Sequence, residues 1–193
     1  AVPDLLPGLE KAVQQGRLDA TIKVNASPVA SSQFMVFNWN KASDPFKQSL
    51  FRSDKFRRAM SHLVNRQAVI DIVYGGLGTP MYSSVYPVLT QWINPKVPKY
   101  EYDPKQAAKL LAELGFTKKD REGYLVDSKG RRIEFNLATN AGNTQREQIA
   151  KLIVDEAKKV GVKVNFQAID FNTLVGQLLS SGPDRPFDAI IIG

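Results

Sequence analysis

The sequence contains no cysteine and a single histidine, His62. Thiolate catalysis, disulfides and cysteine metal sites are thereby excluded, and so is a multi-histidine metal centre. Long apolar runs are also missing. Nothing approaches the roughly 20 residues that a membrane helix needs, and the most apolar stretch, Ala189–Ile192, is strand-sized. There is no internal repeat and no low-complexity segment. The cluster Gly75-Gly76-Leu77-Gly78-Thr79-Pro80 lacks the Gly-Lys-Ser/Thr of a phosphate loop, has Met81 where Gly-x-Gly-x-x-Gly needs its last glycine, and follows a helix instead of opening one. A helix C-cap and turn accounts for it. No Gly-x-Ser-x-Gly elbow stands ready for His62, and no Asp/Asn loop has calcium spacing. A glycosidase carboxylate pair would meet in space, not in sequence, and nothing points to one.

What is present is an ordinary globular composition. The 193 residues are 43% hydrophobic and 23% charged, which suits one domain with a real core and argues against disorder. The net charge of +7 permits an anionic partner without demanding one. Lys55, Arg57 and Arg58 share a helix, and Lys118, Lys119, Arg121, Lys129, Arg131 and Arg132 flank a hairpin. Asp120, Glu122 and Asp127 are interleaved with them. Solvated surface charge explains this better than a nucleic-acid footprint, which wants its cations on one face among stacking aromatics. The N-terminus has no initiator methionine, basic region or apolar core of an export signal. Gly193 follows the most hydrophobic strand candidate, and a domain rarely ends on its most buried strand. The chain is therefore expected to be a piece of a longer protein.

Periodicity predicts a helix over 5–15, a short strand over 20–24, a linker over 25–32 and a largely buried strand over 34–39. Helices are expected over 54–64, with Asp54 near the cap, over 67–74, and after the cap-and-proline pair Asp103-Pro104. Residues 124–126 and 132–138 read as a hairpin around the turn 127–130. Thr144-Gln145-Arg146-Glu147 reads as a capping box for a helix ending at Gly161. A strand over 162–168, a helix capped by Asp170 and the strand 187–192 complete a strand–helix–strand–helix–strand order. Crossovers of this length join parallel strands, and the last strand, apolar on both faces, belongs in the middle of the sheet. The fold class is α/β, with a mixed, largely parallel sheet flanked by helices.

Two features are weighed for chemistry, and only the second holds promise. His62 lies off the apolar face of its helix and reads as a solvated histidine. The loop 75–102 is long for a compact domain. Its segment Met81-Tyr82-Ser83-Ser84-Val85-Tyr86-Pro87, with Trp92 nearby, offers apolar faces with polar tips, as in a cleft for a mixed ligand. A loop folded down over the core would look the same, and both readings stand at this point.

Several motifs in one order add a resemblance. Phe37-Asn38-Trp39-Asn40, Asp44-Pro45-Phe46, Phe56-Arg57-Arg58-Ala59-Met60-Ser61, Asn65-Arg66 and Gly78-Thr79-Pro80 come first. Tyr102-Asp103-Pro104-Lys105-Gln106-Ala107, Leu110 to Phe116, Gly161 to Val164 and Phe187-Asp188 follow. Over residues 33–193 this resembles the family 5 extracellular solute-binding proteins, the oligopeptide and dipeptide receptors of ABC importers. One departure is Asn65, where the family pattern has aspartate. The resemblance implies one lobe of a two-lobed, periplasmic-binding-protein-like fold that closes on its solute by a hinge. It implies an N-terminal part, 1–32, carrying a helix, a strand and the inter-lobe linker, and a ligand-binding lobe, 33–193, incomplete at its C-terminal end. It further implies a periplasmic or extracytoplasmic location, with lipid anchoring possible in the full-length protein. The partners implied are an oligopeptide, dipeptide or other small solute and the permease subunits of an ABC transporter. No catalysis, cofactor or metal is implied. By position, solute contacts fall at Gln33 and Phe34, at Met81, Tyr82 and Tyr86, and at Asn140 and Asn143. Ile191 stands about where some peptide binders carry an arginine, which leaves sugars and other solutes open. The rival expectations are a basic nucleic-acid-binding domain and a non-catalytic fragment of a larger enzyme.

Overall fold

The computed structural model describes residues 5–24 and 31–193. In chain order the elements are α1 (Leu6–Gln14), β1 (Phe34–Phe37), α2 (Pro45–Arg52), α3 (Asp54–Leu63), α4 (Arg66–Tyr74), α5 (Pro104–Glu113), β2 (Lys118–Lys119), β3 (Leu125–Val126), β4 (Glu134–Asn140), α6 (Thr144–Val160), β5 (Lys163–Ile169), α7 (Phe171–Leu179) and β6 (Ala189–Ile192). The chain divides into two compact units. One joins Gln33–Asn65 to Lys99–Gly193, and the other joins Ala1–Ser32 to Arg66–Pro98.

The larger unit is built on a four-stranded sheet in the order β1-β6-β4-β5. β4 runs parallel to both β5 and β6, and β1 alone is antiparallel, with Phe34 opposite Ile192. The expected mixed, largely parallel α/β sheet is therefore present. β6 lies inside it, and Ala189, Ile190 and Ile191 are buried, as a strand covered on both faces requires.

Alternation along β4 assigns a core to each face. Phe135 joins Phe37, Phe51 and Phe56 on one face, with ring centroids 5.2 to 6.2 Å apart. Helices α3, α5 and α6 pack together on that side. Ala138 and Ile190 on the other face meet Leu174 of α7 and Phe187. The crossovers α6 and α7 thus cover opposite faces.

Several sequence expectations change. No strand forms over 20–24, and the linker reading falls largely on 25–30, outside the described residues. The strand expected over 34–39 stops at Phe37 and is an edge strand, so Phe34 and Trp39 are about half exposed. Helix α2 was not anticipated. Its signals are Asp44, whose carboxylate accepts from the Lys47 N–H at 3.0 Å, and Pro45 in the first turn. The cap of α3 is Ser53, and Asp54 instead pairs with Arg58 at 2.6 Å. The hairpin shrinks to one bridge, Val126 to Arg132. β3 pairs with β2, and β4 joins the main sheet. A strand with two apolar core faces on offer leaves its sequence neighbour for the larger burial.

Asp188, just before β6, fastens α2 and β1 to the sheet. Its buried carboxylate accepts from Lys47 at 2.7 Å and from the Asn136 N–H at 3.0 Å, and it pairs with Lys41 at 3.2 Å. Buried Asn38 donates to the carbonyls of Phe187 and Arg185.

The smaller unit contributes α1, which buries none of its residues, and α4. After α4 the chain turns through Gly75 and Gly76, both at positive φ, and the Gly76 N–H donates to the Ile70 carbonyl. This is the helix C-cap expected of the glycine cluster. Beyond one 3-10 turn at Thr90–Trp92, residues 75–98 are irregular.

Candidate functional site

Because α6 and α7 leave the sheet on opposite faces, the loops after β4 and β5 diverge. They do so at the carboxyl ends of the strands, the place where open α/β sheets tend to bind ligands. Asn140 ends β4 here, Gly193 follows β6, and Gln33 precedes the antiparallel β1.

Arg146 joins these three positions. Its Nε donates to Oε1 of Gln33 at 2.8 Å, one terminal nitrogen donates to Oδ1 of Asn140 at 2.8 Å, and the other donates to the Gly193 carbonyl. The side chain is only 9% exposed, whereas Gln33 and Asn140 are half-buried. Among the described residues no aspartate or glutamate forms an ion pair with Arg146.

The expected capping box is corrected by the same cluster. Asn143, not Thr144, is the N-cap of α6, with its Oδ1 accepting from the Arg146 N–H at 3.0 Å. Glu147 reaches back to the Gly142 N–H at 3.0 Å. The Asn143 side-chain oxygen is therefore engaged in holding the helix. Phe34 is half exposed. It pairs in register with Ile192, on the sheet face that α7 covers.

Met81, Tyr82 and Tyr86 belong to the smaller unit. Arg66 donates from Nε to the Met81 carbonyl at 3.0 Å, and its guanidinium lies 4.9 Å from the centre of the Tyr82 ring. Burial pushes the Arg66 pKa down, and the neighbouring Tyr82 partly offsets it. The Tyr86 carbonyl accepts from the Leu89 N–H at 2.9 Å. All three side chains are partly buried, and Trp92 is 70% exposed.

Sequence reasoning brought Gln33, Asn140 and Asn143 to this edge but missed the arginine among them. A signal existed. Arg146 continues the buried stripe Ile149, Ile153 and Ala157 backwards by one turn. A cation that extends an apolar stripe needs a partner inside.

Other candidates lie elsewhere. His62 is not simply solvated: Nδ1 sits 2.6 Å from the Glu101 carbonyl, and the ring packs edge-on to Tyr100. Arg132 pairs with Asp120, Glu122 and Glu134, and Arg131 pairs with Asp127. These pairs match the surface-charge reading. A surface depression of about 360 Å³ lined by Phe46, Lys47, Glu134, Asn136 and Asn165 sits at the opposite end of β4 and holds none of the expected solute contacts. Among the described residues no cluster of three or more His, Asp or Glu could hold a metal ion, and no helix is long and apolar enough to cross a membrane.

A largely parallel sheet with helices on both faces, and a polar cluster at the carboxyl ends of its strands, is the architecture of periplasmic-binding-protein-like folds. Residues 4–193 match the family model for bacterial extracellular solute-binding proteins, family 5 (middle part), and the chain belongs to that family. A probable ABC transporter-binding protein of Deinococcus radiodurans is 52% identical over 193 residues, covering 98% of this chain and 32% of the relative. The oligopeptide-binding protein AppA of Bacillus subtilis is 34% identical over 163 residues, 83% of this chain and 28% of its own length. The solved structure of AppA with a nonapeptide superposes with a TM-score of 0.70 at 32% identity, covering 83% of this chain and 30% of that one. The chain thus spans about a third of the length of these relatives.

Proposed function

We propose that the protein containing this chain is an extracytoplasmic receptor that binds a peptide or related small solute and delivers it to the permease subunits of an ABC importer. The observation that carries this reading is the meeting of Gln33 and Asn140 on Arg146 at the carboxyl edge of the sheet, in a chain of the solute-binding family. That AppA, a relative, is an oligopeptide-binding protein supports a peptide as the solute. The family consists of binding proteins, so the expected behaviour is stoichiometric binding without turnover. Residues 33–193 would supply one ligand-binding lobe, with the solute enclosed by hinge closure against a second. A lipid anchor outside this segment would hold the receptor at the membrane.

In this reading the larger unit offers the solute a hydrogen bond from Asn140, near the capped helix start at Asn143, and apolar contact from Phe34. Met81, Tyr82 and Tyr86 of the smaller unit are separate candidate contacts, to be tested on their own account. The test is calorimetric titration of the full-length protein with pentaalanine. Asn140→Ala alone and Tyr82→Ala with Tyr86→Ala are measured separately, and the triple variant should weaken binding by about 100-fold or more, since a few anchoring contacts carry most of an affinity. Undiminished binding by the triple variant contradicts these assignments.

A further inference from the structure

Arg146 occupies a position that electrostatics disfavours twice. It is a buried cation with no aspartate or glutamate partner among the described residues, and it lies in the first turn of α6, where the helix dipole repels positive charge. Only its interactions offset these costs, and they are specific. A guanidinium can donate but never accept. Each amide facing it must therefore present oxygen, which fixes the amide flip of both Gln33 and Asn140 without ambiguity. The amide nitrogens then point away from Arg146. Among the described residues, neither Gln33 Nε2 nor Asn140 Nδ2 donates to another group. The third contact, to the Gly193 carbonyl, consumes an acceptor at the same edge. Gln33 and Asn140 thus each present an oriented donor group at this edge.

We propose that Arg146 is a positioning residue. By holding the side-chain oxygens of Gln33 and Asn140, it turns their two NH₂ groups into a fixed donor pair that selects solutes presenting carbonyl oxygens, such as the main chain of an extended peptide. This rests on the receptor reading and adds to it the polarity of the site. A site of this kind favours an acceptor-bearing solute, because a donor placed there would face a donor and lose its hydrogen bond.

The decisive variants are Asn140→Asp and Gln33→Glu in the full-length protein. Each keeps an oxygen for Arg146 and upgrades that contact to an ion pair, while replacing the outward donor by an acceptor. A merely structural role predicts unchanged or higher thermal stability and unchanged binding. The positioning role predicts stability no lower than wild type together with at least tenfold weaker binding of pentaalanine. Arg146→Ala should weaken binding by a similar factor and also lower stability. Equal or tighter binding by both acid variants overturns the proposal. If the wild-type protein does not bind pentaalanine, the receptor reading for peptides fails, and the positioning claim is then judged by a thermal double-mutant cycle of Arg146→Ala with Asn140→Ala. Non-additive effects support it, and additive effects overturn it.

Discussion

Lys47 Nζ lies 2.7 Å from Oδ2 of Asp188, which joins the first turn of α2 to the residue that leads into the central strand β6. Asp188 is 3% exposed and serves Lys41 and the Asn136 N–H with the same carboxylate. One buried anion thus ties three chain segments that are far apart in sequence. Removing it leaves two lysines facing a neutral site. Asp188→Asn is expected to destabilise the full-length protein by roughly 3 kcal/mol, the usual cost of breaking a buried charge network from one side. Urea unfolding midpoints of the two proteins at neutral pH measure it.

The same contact gives a pH dependence. Burial pushes the Asp188 carboxyl up, but Lys47, the Asn136 N–H and Lys41 outweigh burial and hold it below the ordinary aspartate value. A carboxyl depressed on folding contributes stability that is fully present above its unfolded value. That contribution is lost as pH falls through the folded value. The stability gap between wild type and Asp188→Asn should therefore be constant near neutrality. It should close progressively below about pH 5, where unfolded aspartate begins to protonate. Unfolding curves taken from pH 7 to pH 3 read this out, and a gap that widens in acid would contradict it.

Gly161 ends α6 at φ 92, and a Cβ placed there would meet the Gly123 carbonyl oxygen at 3.0 Å and Leu125 at 3.2 Å. Gly161→Ala combines a left-handed backbone with a clash against main chain. It should cost roughly 1–3 kcal/mol, seen as a lower melting temperature. Gly142→Ala, also at positive φ but with open space around the added carbon, should cost less.

Phe135 stands at the centre of the aromatic cluster and is 1% exposed. Phe135→Ala removes contacts to three rings on three elements and should cost about 3–5 kcal/mol. The same variant should leave the Arg146 cluster intact, since Phe135 lies near the opposite end of β4 from Asn140.

The sequence made some of this visible and hid the rest for definable reasons. The order β4-α6-β5-α7-β6 was legible because each element carries its own period and cap, and β6 announced its central place by being apolar at every position. β1 misled because Phe34 and Trp39 look like core residues. Their exposure depends on β1 being an edge strand, which local pattern does not encode. The hairpin around 127–130 misled because its turn is real, as the Asp127 contacts to Lys129 and Arg131 indicate. The strand after that turn is nevertheless claimed by a larger sheet. Gln33, Asn140 and Asn143 came to attention through family resemblance and strand-end position. Arg146 was hidden inside a capping motif, although its place on the stripe of Ile149 and Ile153 was readable. The three-way contact that gives it meaning joins residues 33, 140, 146 and 193, a separation that no local pattern spans.

The most direct test of the receptor account is native mass spectrometry of the full-length protein after incubation with an equimolar pool of peptides two to nine residues long. The account predicts one intact peptide retained per protein molecule and no shortened peptide in the pool after prolonged incubation. A protein that retains no peptide, or that returns cleaved ones, would contradict it.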